Sequence, residues 1–329
     1  MANQFEMKTL YNKIIALGFK KKDIQAILPE WWNDNIAKTQ SGFLEAAVLL
    51  SKSLSINLKS LISEEKACFD LPLSNFKAKG NINTAELDIA VALSTVAAKA
   101  TLRGFSAEKR YDGLTAKKVR ETLLSRGNKW IDFRTLVEFC WEIGIPVLHL
   151  NLKNYKKMQG LAIEINNRPV IILTSQHKYG YLVFDLAHEL GHILAEHTKD
   201  SIVVDERISP KGIEKNEKEA NDIALEILTG STYHFTTRSR NASSIAEACI
   251  STGKERNIDP AHLVLNIGHS MDNWVLANSA LKIIKEKLNI SSNDPAICKE
   301  VMLERLDFET MGDFKHPMRV ITSSLNKAA

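Results

Sequence analysis

Apolar residues recur at helical spacing in several short runs near the start of the chain. FEMKTLYNKIIALG (5–18) carries one such face and stops at a glycine, and KKDIQAIL follows. After the turn-like LPEWWNDN, the stretch SGFLEAAVLLSKSLSINLKSLI opens on a Ser-Gly cap and presents a strong apolar face. Several short helices in so short a span predict a helix-turn-helix module. FDLPLSNFKAKGNIN (69–83) breaks the pattern and reads as a linker.

A second set of helices follows. TAELDIAVALSTVAAKATLRG (84–104) is a long Ala-rich helix with Thr84 as its N-cap, and TAKKVRETLLSRG (115–127) and WIDFRTLVEFCWEIG (130–144) each close on a glycine. The period then changes. IPVLHLNL (145–152) is strand-like, and LAIEINNRPVIILT (161–174) predicts a hairpin turning at Asn166-Asn167. Pro169, at the start of the second strand, places that strand at a sheet edge, where an extended substrate could pair its backbone. FDLAHELGHILAEH (184–197) and KNEKEANDIALEILTG (215–230) are helical, as is most of the chain beyond 241. Helices, a small sheet and more helices argue α+β rather than alternating βαβ units. The expected division is a helical domain over 1–75, a central domain over 82–235 and a C-terminal helical region over 236–329.

The chemistry lies in the run 184–197. Residues four apart on a helix are about 40° apart around its axis. His188 and His192 can therefore offer two imidazole nitrogens to one tetrahedral ion. Glu189, one step round, can act as general base on a water that zinc has acidified toward a pKa of about 7. The competing reading is an ordinary amphipathic helix with two histidines. It is disfavoured because Leu186, Ala187, Leu190, Ile193 and Leu194 would bury the helix, and buried histidines without partners are costly. Gly191 costs about 1 kcal/mol against alanine in a helix, which makes sense where another chain segment or a metal comes close.

A third ligand is needed. His197 does not fit the spacing of a third histidine, since Ala195 stands where that pattern needs glycine and Thr198 where it needs histidine. On a continuous helix His197 also faces away from His188, so it is expected to be a surface or core residue. The later helix offers Glu217, with Asn221 one turn on as a hydrogen-bond partner for a ligand histidine, and Glu219 as a competitor.

FDLAHELGHILAEH followed by EKEANDIALEILTG resembles the ImmA/IrrE family of zinc metallopeptidases. FCWEIGIPVLHL and NRPVIIL resemble the members with an Xre-like N-terminal helix-turn-helix segment. The resemblance covers about residues 80–235 well and the rest loosely. It implies a thermolysin-like (gluzincin) fold, a Zn2+ cofactor held by His188, His192 and, in preference to Glu219, Glu217, with Asn221 as the supporting residue. It implies peptide hydrolysis with Glu189 as general base, and a protein substrate that is a transcriptional repressor or regulator. Members often read LLMP after the second helix, where this chain has ILTG (227–230). The reaction also needs a donor to the developing oxyanion, for which Tyr179, Tyr181, Tyr233 and His234 are candidates.

Charge weighs on the other possible partner, DNA. Residues 1–65 hold eight lysines and no arginine against seven acidic residues, a net of +1, and the whole chain carries only +4. Phosphate binding needs a basic face and arginine is the commonest reader of guanine, so a protein-recognition or dimerisation module is favoured over a DNA reader. Trp31 and Trp32 are expected in its core. The alternative function is a DNA-binding regulator or toxin–antitoxin component in which the zincin domain senses or scaffolds. The four scattered cysteines form no CxxC pair, and the first residues, MANQFEMKTLYNK, do not read as a signal peptide. The apolar runs are too short to span a membrane, and a cytoplasmic protein is expected.

Overall fold

A computed structural model describes residues 6–71, 84–152, 158–176, 179–198, 202–206, 215–291 and 293–322. Most of the expected linker, 72–83, lies outside the described residues.

The N-terminal helices are α1 (Met7–Ala16), α2 (Lys21–Ile27), α3 (Gln40–Leu54) and α4 (Leu58–Ile62), with a 3-10 turn at Asp34–Lys38. Side-chain caps set where α3 and α4 begin. Thr39 Oγ1 accepts from Gly42 N at 3.1 Å at the head of α3, and Asn57 Oδ1 accepts from Ser60 N at 3.0 Å at the head of α4. Lys13 Nζ donates to the backbone oxygens of Ser60, Ser63 and Glu65, tying α1 to the end of α4. Contrary to expectation, Trp31 is 60% exposed. Only Trp32 packs against the core, and Trp31 lies outside it with its ring tilted against that of Trp32 at 5.8 Å.

The long helix α5 (Thr84–Gly104) is buried along Ile89–Ala98, which explains its alanine content: neighbours can approach it from several sides. Helices α6 (Ala116–Ser125) and α7 (Phe133–Glu142) follow, capped by Thr115 and Asp132.

The sheet has four strands in the order β1-β3-β2-β4: β1 (Val147–His149), β2 (Met158–Ile165), β3 (Arg168–Leu173) and β4 (Ile202–Glu206). β2 and β3 form the expected hairpin, with Asn166 and Asn167 at φ 52° and 58° as a primed turn requires. The edge assignment of the second strand fails. β3 is interior, pairing parallel with β1 and antiparallel with β2. Pro169 is tolerated because β1 pairs only from Ile171 onward, leaving Pro169 a single neighbour at Glu164. The edges are β1 and β4.

Helix α8 (Leu182–Leu194) packs against the sheet and against α9 (Lys215–Thr229). Helices α10 (Ala242–Arg256), α11 (Pro260–Ser270) and α12 (Trp274–Lys287) share their own apolar cluster. The larger cluster runs from Met7 to Ile321, joining the N-terminal helices, the sheet, α8 and α9 to α13 (Asp294–Arg305) and α14 (Lys315–Thr322). Among the described residues no helix is long and apolar enough to cross a membrane.

Candidate metal centre

The site forms where α8 and α9 cross. Gly191 sits at the crossing: a Cβ there would lie 2.8 Å from Ala220 O and 3.1 Å from Ala220 Cα. The glycine's poor helix propensity is therefore the condition for close packing of the two helices. The approach carries Glu217, in the first turn of α9, to the His188–His192 pair. His188 Nε2 and His192 Nε2 are 3.0 Å apart, and the Glu217 carboxylate lies 3.5 Å from the first and 3.6 Å from the second. Donors around one zinc stand roughly 3.3 Å apart when its bonds are near 2.0–2.1 Å, so this set suits a single cation. Both histidines are buried and Glu217 is only partly exposed. Among the described residues no other cluster of three such side chains converges this closely.

The far nitrogen of each histidine is also engaged. His188 Nδ1 is 3.0 Å from Asn221 Oδ1. An amide oxygen only accepts, so His188 donates there and keeps a lone pair at Nε2. His192 Nδ1 is 3.0 Å from His197 Nδ1, and His197 Nε2 is 3.4 Å from Glu219 Oε2. The carboxylate accepts from His197 Nε2, leaving His197 Nδ1 to accept from His192. Both rings thus settle in the tautomer whose Nε2 lone pair faces Glu217. Burial, followed by the neighbouring His188, pulls the His192 pKa down to about 3 despite Glu217, so the ring is neutral at physiological pH.

His197 departs from its expected place. α8 ends at Leu194, and Glu196 takes the left-handed conformation at φ 60°. That turn swings His197 back beside His192, whereas a continued helix would have carried it away. Glu219 is likewise drawn in, as the partner of His197.

Glu189 is buried on the face of α8 that meets β2. A Cβ at Gly160 would lie 2.3 Å from Glu189 Oε1, so the strand makes room for the carboxylate by having no side chain there. Sequence reasoning missed Gly160. The available signal was a glycine inside a strand, which marks close approach of another group.

Of the four candidate oxyanion donors, two flank the start of α8 and two follow α9. Tyr179 and Tyr181 pack against the α10–α12 cluster. The Tyr181 hydroxyl donates to Asn278 Oδ1 at 2.8 Å, and Tyr179 takes the Lys285 ammonium over its ring at 5.8 Å. Tyr233 is 79% exposed beyond the end of α9, and His234 stacks on His269 at 5.7 Å.

Residues 140–233 match the family model described as the IrrE N-terminal-like domain, peptidase family M78. The matched stretch begins within α7 and takes in the sheet, α8 and α9, so it contains every residue of the cluster. Comparison with curated proteins and with solved structures gives no match. A peptidase-family segment carrying a His/His/Glu cluster supports a metal-dependent protease.

Proposed function

We propose that this protein is a zinc endopeptidase that hydrolyses peptide bonds of a regulatory protein of the repressor or helix-turn-helix type. The observation that carries the reading is the meeting of His188, His192 and Glu217 from two helices, with the far nitrogens of both histidines already committed elsewhere. Three protein ligands leave a tetrahedral ion one position open, which favours catalysis over a structural role. A zinc ion held there would supply a Lewis acid for the scissile carbonyl and would acidify water.

The chain's own residues do the rest. Glu189 takes a proton from the attacking water and passes it to the leaving amine. Its burial against Gly160 holds the carboxylate in place on α8. Asn221 and the His197–Glu219 pair hold the two rings in the tautomer that points a lone pair at the ion. The repressor-type substrate is supported by the family resemblance and by the weakly charged N-terminal helices, which suit a protein partner better than DNA.

The test is Glu189→Gln. Metal analysis should find about one zinc per chain in both proteins. Hydrolysis should fall by about 10² to 10⁴-fold in the variant, the scale of a lost general base. Wild-type protein purified without chelator and free of zinc would sink the proposal, as would undiminished cleavage by the variant.

A further inference from the structure

The first turn of α8 lacks a cap of its own. Tyr181, at the N-cap, is in the right-handed helical conformation and its side chain makes no capping hydrogen bond. The orphan N–H groups of a helix start need acceptors, and the start carries a partial positive charge. Here an acceptor arrives from far along the chain: Asp294 Oδ2 accepts from Gly180 N at 3.0 Å across 114 residues. Asp294 is itself the first residue of α13 and is only 3% exposed. Gly180 has φ 81°, and a Cβ there would lie 3.1 Å from Ala261 Cβ and 3.2 Å from Leu281 Cδ1. The backbone that enters α8 is therefore wedged against α11 and α12 while it meets the carboxylate. Further along, the Phe184 ring stacks on buried His262 at 5.9 Å and lies 6.3 Å from the His188 ring.

We propose that Asp294 is a positioning residue for the chemistry on α8, a carboxyl cap supplied by the C-terminal helices that fixes where His188 and Glu189 sit. The inference rests on the peptidase reading, yet its first observable does not need turnover. Groups around Asp294 come from every side: Asp132 at the head of α7, Asp259 at the head of α11, Lys285 on α12 and Tyr179 just before α8. Burial raises the Asp294 pKa to about 7, against the pull of the two backbone donors Gly180 and Leu182. The native state therefore holds the protonated carboxyl more readily than an opened state would, so the segment is held more firmly as pH falls below neutrality. The protonated carboxyl keeps one carbonyl acceptor for the backbone.

The experiment compares wild type with Asp294→Ala, which removes both the acceptor and the titration. Hydrogen-exchange mass spectrometry on peptides spanning 179–187 reads the cap, and titration with Co2+, followed by its visible absorption, reads the metal cluster. At about pH 5.5 the variant should exchange about tenfold faster in that segment, the scale of a lost buried acceptor, and at about pH 7 it should bind Co2+ more weakly. At about pH 8 the gap in protection should narrow, because ionisation of the buried carboxyl weakens the wild type alone. Equal exchange at both pH values overturns the proposal. So does a loss that ignores pH, since packing alone would then explain it, and so does unchanged Co2+ affinity beside altered exchange. Should the variant fail to fold, the pH dependence of protection in the wild type decides alone. Wild type that binds no Co2+ would count against the metallopeptidase reading, while the exchange data would still judge the cap.

Discussion

A methyl group on residue 160 would overlap the Glu189 carboxylate, and that single contact separates catalysis from metal binding. Alanine is normally better than glycine in a strand. At position 160 the added Cβ would lie 2.3 Å from Oε1 and 2.9 Å from Cδ, so the carboxylate must turn away. Under the zinc-peptidase proposal, Gly160→Ala should still bind metal, because the atoms nearest such a Cβ all belong to Glu189, while its rate falls by roughly 10²-fold or more, as for a displaced base. Zinc content near wild type with full activity would refute the placement of Glu189 as base. The sequence announces the chemistry of this site more clearly than its surroundings. The i,i+4 spacing of His188 and His192 is a local geometric fact, readable without a fold. The role of Gly160 depends on which strand lies under α8. His197 depends on where α8 stops, and hydrophobic periodicity leaves helix ends uncertain. The run to 197 looks helical, but Glu196 breaks it with a left-handed turn.

At the scale of elements, α9 is held at its far end as α8 is held at its near end. Arg120, on α6, donates to Ile227 O and Leu228 O at the end of α9 and to Arg256 O and Asn257 O at the end of α10. A guanidinium fork suits this task, since it has five donors and the helix C-termini expose carbonyls with partial negative charge. Arg120→Lys keeps the charge but cannot serve two helix ends at once. It should lose roughly 2 kcal/mol in urea unfolding, with faster exchange at the end of α9. A loss near zero would mean that the fork is dispensable. Element types were mostly legible: the Asn-Asn hairpin and the helix carrying Glu217 follow from turn chemistry and period. β4 was not, because the Ile-Val-Val run at 202–204 is short and abuts charged residues, so neither alternation nor length identifies it. The misplaced edge has a related cause. Proline excludes a ladder donor on one side only, and sequence cannot say which neighbour is missing.

For the whole molecule, the C-terminal helices give the fold an acid limit through His262. This ring is buried in α11, stacked on Phe184 and close to His234, and burial, with help from that neighbour, lowers its pKa to about 4. In the unfolded chain the same ring titrates near its ordinary value of 6.5. Between the two values the unfolded state binds a proton that the native state refuses, so stability declines as pH falls from about 6.5 toward 4 and is unaffected by this group above that window. At about pH 5 the deficit for this one group amounts to roughly 2 kcal/mol. Asp259 and Asp294 act in the opposite sense, since burial raises both to about 7 and their protonated forms favour the fold as pH drops. The two effects overlap, so bulk acid denaturation of the wild type cannot assign the loss, whereas a difference between proteins can. His262→Gln removes the titration and keeps a polar side chain that reaches past the first carbons of the ring. It should cost stability at about pH 7.5, where the native stack on Phe184 is lost without compensation, and close most of that gap at about pH 5, where the wild type pays for a neutral imidazole. Urea midpoints of both proteins at the two pH values measure this directly. A gap of the same size at both would mean that His262 is already protonated in the native state, or that its ring is not shut away between α8 and α11.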